Sequence, residues 1–194
     1  MRKAVFHILL TLCLLTTAVG MNAQTTMRDI FKAMPDSIVP YLSENNRLDL
    51  IDFLDSNMKA EVTNLLGGKS TLLQLTDSYL SLLLNEASTL DMLLLPYNGS
   101  DADSATQVVC MVRTVGSDVR VSTVTFYTPT WQPLPTSKFI NLPGEPVVAV
   151  LNADGPAMTL VPETKLDFPA NEEQESIQKP SINLKWNSEM FKED

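Results

Sequence analysis

Between Leu73 and Tyr127, apolar residues return at every second position in short runs, and the segments separating the runs are brief. Leu73 and Leu75, then Leu80, Leu82 and Leu84, then Leu90, Met92 and Leu94 read as successive strands, with Thr76-Asp77-Ser78 and Glu86-Ala87-Ser88 as turns. A parallel crossover needs a dozen or more residues, so strands this close together pair antiparallel. Leucine also favours helix, and one helix across 72–86 is the competing reading.

A polar loop, Asn98 to Ser104, follows. Gln107 to Val115 and Val119 to Tyr127 then flank Gly116-Ser117-Asp118 as a hairpin rich in β-branched residues. Val119 and Val121 share one parity, Val124 and Phe126 the other, so the pattern predicts a bulge near Ser122 and Thr123. Trp131-Gln132-Pro133-Leu134-Pro135 and Pro143 to Pro146 turn the chain. Strands are expected at Val147 to Leu151, around Met158 to Val161 after Asp154-Gly155, and at Ile182 to Trp186 as a last edge strand.

Helical periodicity is confined to the beginning. Thr26 and Asp29 form a capping-box pattern ahead of Ile30, Phe31 and Met34. Asn46 is placed to cap a second helix carrying Leu48, Ile51, Phe53 and Leu54 and ending near Asn57, with Met58 to Leu66 either extending it or adding another turn before a Gly67-Gly68 stop. The fold class is therefore α+β: short N-terminal helices packed on a largely antiparallel, twisted sheet of about six to eight strands.

The first residues predict a cleavable export signal, because Arg2 and Lys3 precede an apolar run from Ala4 to Leu15 and a small, polar stretch to Ala23. That run is shorter than the roughly 20 residues a spanning helix needs, so no membrane span is expected in the mature chain. Residues 1–23 are read as the signal, with a cut after Gly20 as the alternative, and 24–194 as a single α+β domain with a polar loop near 170–180. The expected address is periplasmic or secreted.

Cleavage narrows the available chemistry. It removes His7, the only histidine, and Cys13, leaving Cys110 as the only cysteine. Without histidine the mature chain has no Ser-His-Asp or Cys-His arrangement and no imidazole ligands for zinc, copper or iron. With one cysteine it has no intrachain disulfide, so the fold must rest on its core. Cys110, between Val108 and Val112, reads as a buried thiol. Twelve basic side chains against 23 acidic ones favour solubility and repel phosphate backbones, so nucleic acid is not an expected partner.

The remaining motifs are incomplete. Gly67-Gly68-Lys69-Ser70 resembles the end of a phosphate loop, but Thr63 stands where its first glycine belongs. Ser56 and Lys59 have the serine–lysine spacing of penicillin-binding enzymes without the accompanying elements. Asp49, Asp52 and Asp55 recur along one helix face, and Asp101 and Asp103 share a loop; neither group has EF-hand spacing. Trp131 and Trp186, with Tyr127 and Phe126, are candidates to line a groove for sugar or peptide.

Met27-Arg28-Asp29-Ile30-Phe31-Lys32-Ala33-Met34-Pro35, Asn46-Arg47-Leu48-Asp49-Leu50-Ile51-Asp52, Met58-Lys59-Ala60 and Gly67-Gly68-Lys69-Ser70 together resemble an uncharacterised family of secreted Bacteroidales proteins, domain-of-unknown-function family 3256. Phe126-Tyr127 and Trp131-Gln132-Pro133-Leu134 fit the same pattern. The resemblance implies a bacterial envelope and brings no established activity or catalytic residues. It also implies possible O-glycosylation at Asp-Ser followed by a small or apolar residue, which Ser104 and Ser37 satisfy.

The functional expectation is a non-catalytic envelope module that binds a protein or glycan, with no cofactor and no metal assigned. The alternatives are a histidine-independent hydrolase using some of Asp49, Asp52, Asp101 and Asp103, and a calcium-stabilised structural module.

Overall fold

The computed structural model describes residues 25–99, 106–162 and 180–194. The expected signal segment, Asp101, Asp103, Ser104 and most of the polar 170–180 segment lie outside these described residues.

Two short helices lead the chain. Helix α1, Met27–Lys32, opens on the predicted box: the Thr26 hydroxyl accepts from the Asp29 amide while Asp29 accepts from the Thr26 amide. It buries Met27, Ile30 and Phe31, each a large apolar side chain worth roughly 1.5–3 kcal/mol when removed from water. Helix α2, Glu44–Asp55, is capped by Ser43 rather than Asn46. Asn46 is instead the third helical residue, and its side chain reaches back to the Ser43 amide.

A seven-stranded antiparallel meander follows: β1 (Glu61–Thr63), β2 (Lys69–Leu75), β3 (Tyr79–Asn85), β4 (Ser88–Pro96), β5 (Gln107–Val115), β6 (Val121–Tyr127) and β7 (Pro133–Leu134). After a 3-10 turn at Thr136–Lys138 comes a second antiparallel sheet of β8 (Val147–Leu151), β9 (Ala157–Pro162), β10 (Ile182–Trp186) and β11 (Phe191–Glu193). Strands thus dominate, and the C-terminal ones form their own sheet instead of joining the first. Ile182–Trp186 is an interior strand of that sheet, because β11 pairs on its outer side.

The pleat explains the layering. Leu80, Leu82, Leu84, Leu90, Met92, Leu94, Val109 and Met111 share a core with the two helices. Leu93, Leu95, Val108, Cys110, Val112, Val124 and Phe126 share a second core with the four-stranded sheet. The large sheet is the middle of three layers, and its central strands β4 and β5 read as nearly continuous apolar runs because both faces are covered. The small sheet has one wet face: Ala149, Leu151, Leu160 and Leu184 are buried, whereas Val150 and Val161 are exposed. The Ala149 amide donates to the Ser122 hydroxyl at 2.9 Å, stitching β8 to β6.

Several local expectations are corrected. The segment read as a helix extension contains β1, and Gly67-Gly68 closes the β1–β2 hairpin, with Gly67 at φ 80°. Buried Asn64 organises that turn, its side-chain carbonyl accepting from the amides of Leu66 and Gly68. The β5–β6 ladder runs unbroken from Val109↔Tyr127 to Val115↔Val121, without a bulge. Val119 lies outside the ladder, so its parity carries no information. Register shifts occur instead between Leu72 and Gln74 and between Leu83 and Asn85. The first of these puts Leu72, not Leu73, into the helix-side core and leaves Leu73 57% exposed.

Candidate functional site

Residues 72–86 form β2, β3 and their turn, so the chemistry suggested by sequence can be followed onto a fixed frame. Trp131 and Trp186 do not meet, because they belong to the cores on opposite faces of the large sheet, and each is at least nine-tenths buried. Tyr127 packs at a tilt on Trp131, with ring centroids 5.4 Å apart. The Trp186 indole donates to the Pro96 carbonyl at 2.6 Å.

The acids are also dispersed. Asp49 and Asp52 are exposed on α2, and Asp55 is engaged by Arg28 through two 2.8 Å bonds that hold its carboxyl below the usual range. Among the described residues, no group of three or more acids, cysteines or histidines is placed to hold a metal. Lys69 begins a strand and reaches the Thr63 hydroxyl, so Gly67-Gly68-Lys69-Ser70 is a hairpin and not a phosphate loop. Ser56 ends α2, while Lys59 pairs with Glu61 at 2.5 Å. Ser37 is exposed in the connection between the helices, beside Asp36, whose carboxylate accepts from buried Arg47.

A concave site exists elsewhere, beside β11. The β10–β11 turn is set by Asn187, whose side-chain oxygen accepts from the amides of Glu189 and Met190 at 3.0 and 2.8 Å. Ser188 occupies the left-handed region there, at φ 75°. Outside β11, the Phe191 amide donates to the Phe139 carbonyl at 2.7 Å. Phe139 is itself fixed by stacking on Phe126, with centroids 4.8 Å apart.

Past this bond the segment Asn141-Leu142-Pro143 and strand β11 leave between them a groove of about 630 Å³. Leu160, Ile182, Leu184 and Phe191 line it with apolar surface, and Lys192 and Glu193 bring charge to it. Trp186 supports this site from within the core, making an edge contact to Phe191 at 5.2 Å. Phe126, also singled out from sequence, reaches the same lining residue, its ring centroid 6.4 Å from that of Phe191. The rest of the groove escaped that reading because it depends on where Phe139 meets a strand far along the chain. The only local signal was the Asn187-Ser188 turn followed by Met190-Phe191.

The sequence matches the model of the family described as "Protein of unknown function (DUF3256)" over residues 18–189, and the chain belongs to that family. Its fold is similar to the solved structure of a domain of an uncharacterized protein from Porphyromonas gingivalis W83. The two share 21% identity at a TM-score of 0.72, covering 87% of this chain and 97% of that one. No curated protein matches the sequence.

Proposed function

We propose that this member of the DUF3256 family is an exported, non-catalytic binding module of the cell envelope that holds a segment of another protein in the groove beside β11. The observation that carries this reading is the groove itself: Leu142 and Ile182 line it beside a strand edge, with buried Leu160 and Leu184 in its apolar wall. Preformed concave sites with mostly apolar walls and a few polar groups are where proteins take ligands. The basic residues and apolar run of positions 2–15 support export.

Protein is favoured over glycan by what the lining offers. Sugar recognition uses exposed aromatic faces, whereas Trp131 and Trp186 are both buried and the groove is walled chiefly by aliphatic side chains. A two-carboxylate hydrolase needs paired acids, and among the described residues Glu193 is the single acid in this lining.

The test places a photo-crosslinking amino acid at Leu142, 40% exposed on the groove wall, in cells that express the full chain. A discrete protein adduct that is absent when the same probe replaces Asp49 is the expected result. Equal labelling at both positions, or a glycan ligand whose binding survives Leu142→Asp, overturns the reading.

A further inference from the structure

Hydrogen bonding shows which way each residue of β11 faces. The Asp194 amide donates to the Asn183 carbonyl and the Asn187 amide to the Met190 carbonyl, while Lys192 stands opposite Lys185. In an antiparallel pair such bonded positions alternate with unbonded ones, so residues 190, 192 and 194 face β10. Phe191 and Glu193 therefore turn their main-chain groups outward. The Phe191 amide is taken by Phe139. Among the described residues, the Phe191 carbonyl and both main-chain groups of Glu193 have no partner.

These groups lie along the groove. Among the described residues β11 is the outermost strand of its sheet, and both Lys192 and Glu193 are exposed. A row of unused amides and carbonyls at a sheet edge is a template for one more strand. Here the template is short, since Phe139 occupies one end. Main-chain bonds to Phe191 and Glu193 would orient a guest, and a side chain entering the groove would supply the apolar contact.

Charge selects the guest. The chain carries a net charge of −9, which disfavours a second copy of itself. The Glu193 side chain lines the groove without a described ion-pair partner. Lys192 also lines the groove but stands at the other parity of the strand, so the Glu193 side chain, and not that of Lys192, shares the side of Phe191.

We infer that the groove takes an extended polypeptide segment which adds to β11 as a fifth strand of the small sheet, placing an aliphatic side chain over Leu160 and Leu184 and a basic residue beside Glu193. This rests on the binding reading above and adds the mode and chemistry of the guest.

The experiment pans a random twelve-residue peptide library on the full chain, with Leu142→Asp protein for counter-selection, and synthesises the best clone. Two analogues are then N-methylated at alternate amides, one set in each. Strand addition predicts that one set loses about tenfold in affinity, the size of roughly 1.4 kcal/mol of lost hydrogen bonding, while the other stays within about twofold. Glu193→Pro, which removes an outward amide without touching the bonds to β10, should also lose about tenfold, and Glu193→Gln should weaken only lysine- or arginine-bearing clones. Equal sensitivity to both methylation sets, with binding still dependent on Leu142, overturns strand addition and leaves the binding reading standing. Failure to obtain any Leu142-dependent clone overturns both. A concentration-dependent dimer abolished by Glu193→Pro makes a second copy the guest and overturns the heterologous assignment.

Discussion

The indole N–H of Trp131, in the turn between β6 and β7, donates to the carbonyl of Ile30 in α1 at 3.1 Å. Helix α1 ends at Lys32, and the Met34 amide that would complete the next turn bonds to Phe31 instead. The Ile30 carbonyl is thus one of the orphan acceptors at a helix end, satisfied by a side chain from the far end of the large sheet. Trp131 also sits at φ 65°, a left-handed conformation that a bulky residue holds only when its surroundings fix it.

Trp131→Phe should therefore destabilise the chain by about 1–2 kcal/mol, the penalty for a buried acceptor left unpaired, beyond any packing loss. At this chain length each kcal/mol lowers the melting temperature by roughly 2–4 °C. Urea unfolding checks it. A Trp131→Phe midpoint equal to wild type would remove the indole from its tethering role.

Cys110 carries a thiol that is 0% exposed and whose ionisation burial pushes far above the ordinary range. The thiolate is the reactive species, so Cys110 in the folded chain should fail to react with a disulfide reagent at pH 8, and unfolding in guanidinium should release its reaction. Labelling of Cys110 in the native state at the rate of a free thiol would contradict the described core.

The β-meander was legible because its residues obey one local rule. Leu80, Leu82 and Leu84 bury one side of β3, and β5 pairs residue for residue with β6 from Val109 to Val115. What the local pattern omits is what each face packs against. Cys110 and Met111 are equally apolar neighbours, yet one faces the small sheet and the other the helices, so the division of the eleven described strands into two sheets is a tertiary fact. Ser43 and Asn46 are both good capping residues; Ser43 takes the cap, while Asn46 closes the box and also reaches the Thr63 carbonyl, in a strand that the periodicity does not mark. The two tryptophans looked like a surface pair because sequence gives no sign of which face each side chain takes.

Gly116 and Gly155 should behave oppositely when replaced by alanine. Gly116 has φ 116°, and an added Cβ would stand 1.8 Å from the Val119 carbonyl oxygen, so the β5–β6 turn must distort. About 2–4 kcal/mol of destabilisation is expected for Gly116→Ala, combining backbone strain with the displaced turn. At Gly155 an added Cβ meets nothing within 4 Å, and Gly155→Ala should change stability by no more than about 0.5 kcal/mol. Thermal unfolding of the two variants side by side checks the pair; equal effects would mean the turn geometry is wrong.

Tyr79 gives stability an alkaline limit. Its hydroxyl donates to Asp91 at 3.1 Å, and burial, followed by the Asp91 charge, pushes the phenol up to about 12 from an ordinary value near 10. The folded state thus keeps a proton that the unfolded chain has already lost. By linkage, stability falls wherever the folded state binds more protons and pH rises. The contribution is fully present below about pH 10 and declines as pH climbs from there through about 12. The difference in stability between wild type and Tyr79→Phe should therefore be constant up to about pH 10 and shift against the wild type above it. Asp91→Asn should bring the phenol partway back, since burial remains. Absorbance at about 295 nm follows tyrosinate directly; a Tyr79 that titrates near 10 in the folded chain would break the link between this residue and its place at the junction of the two sheets.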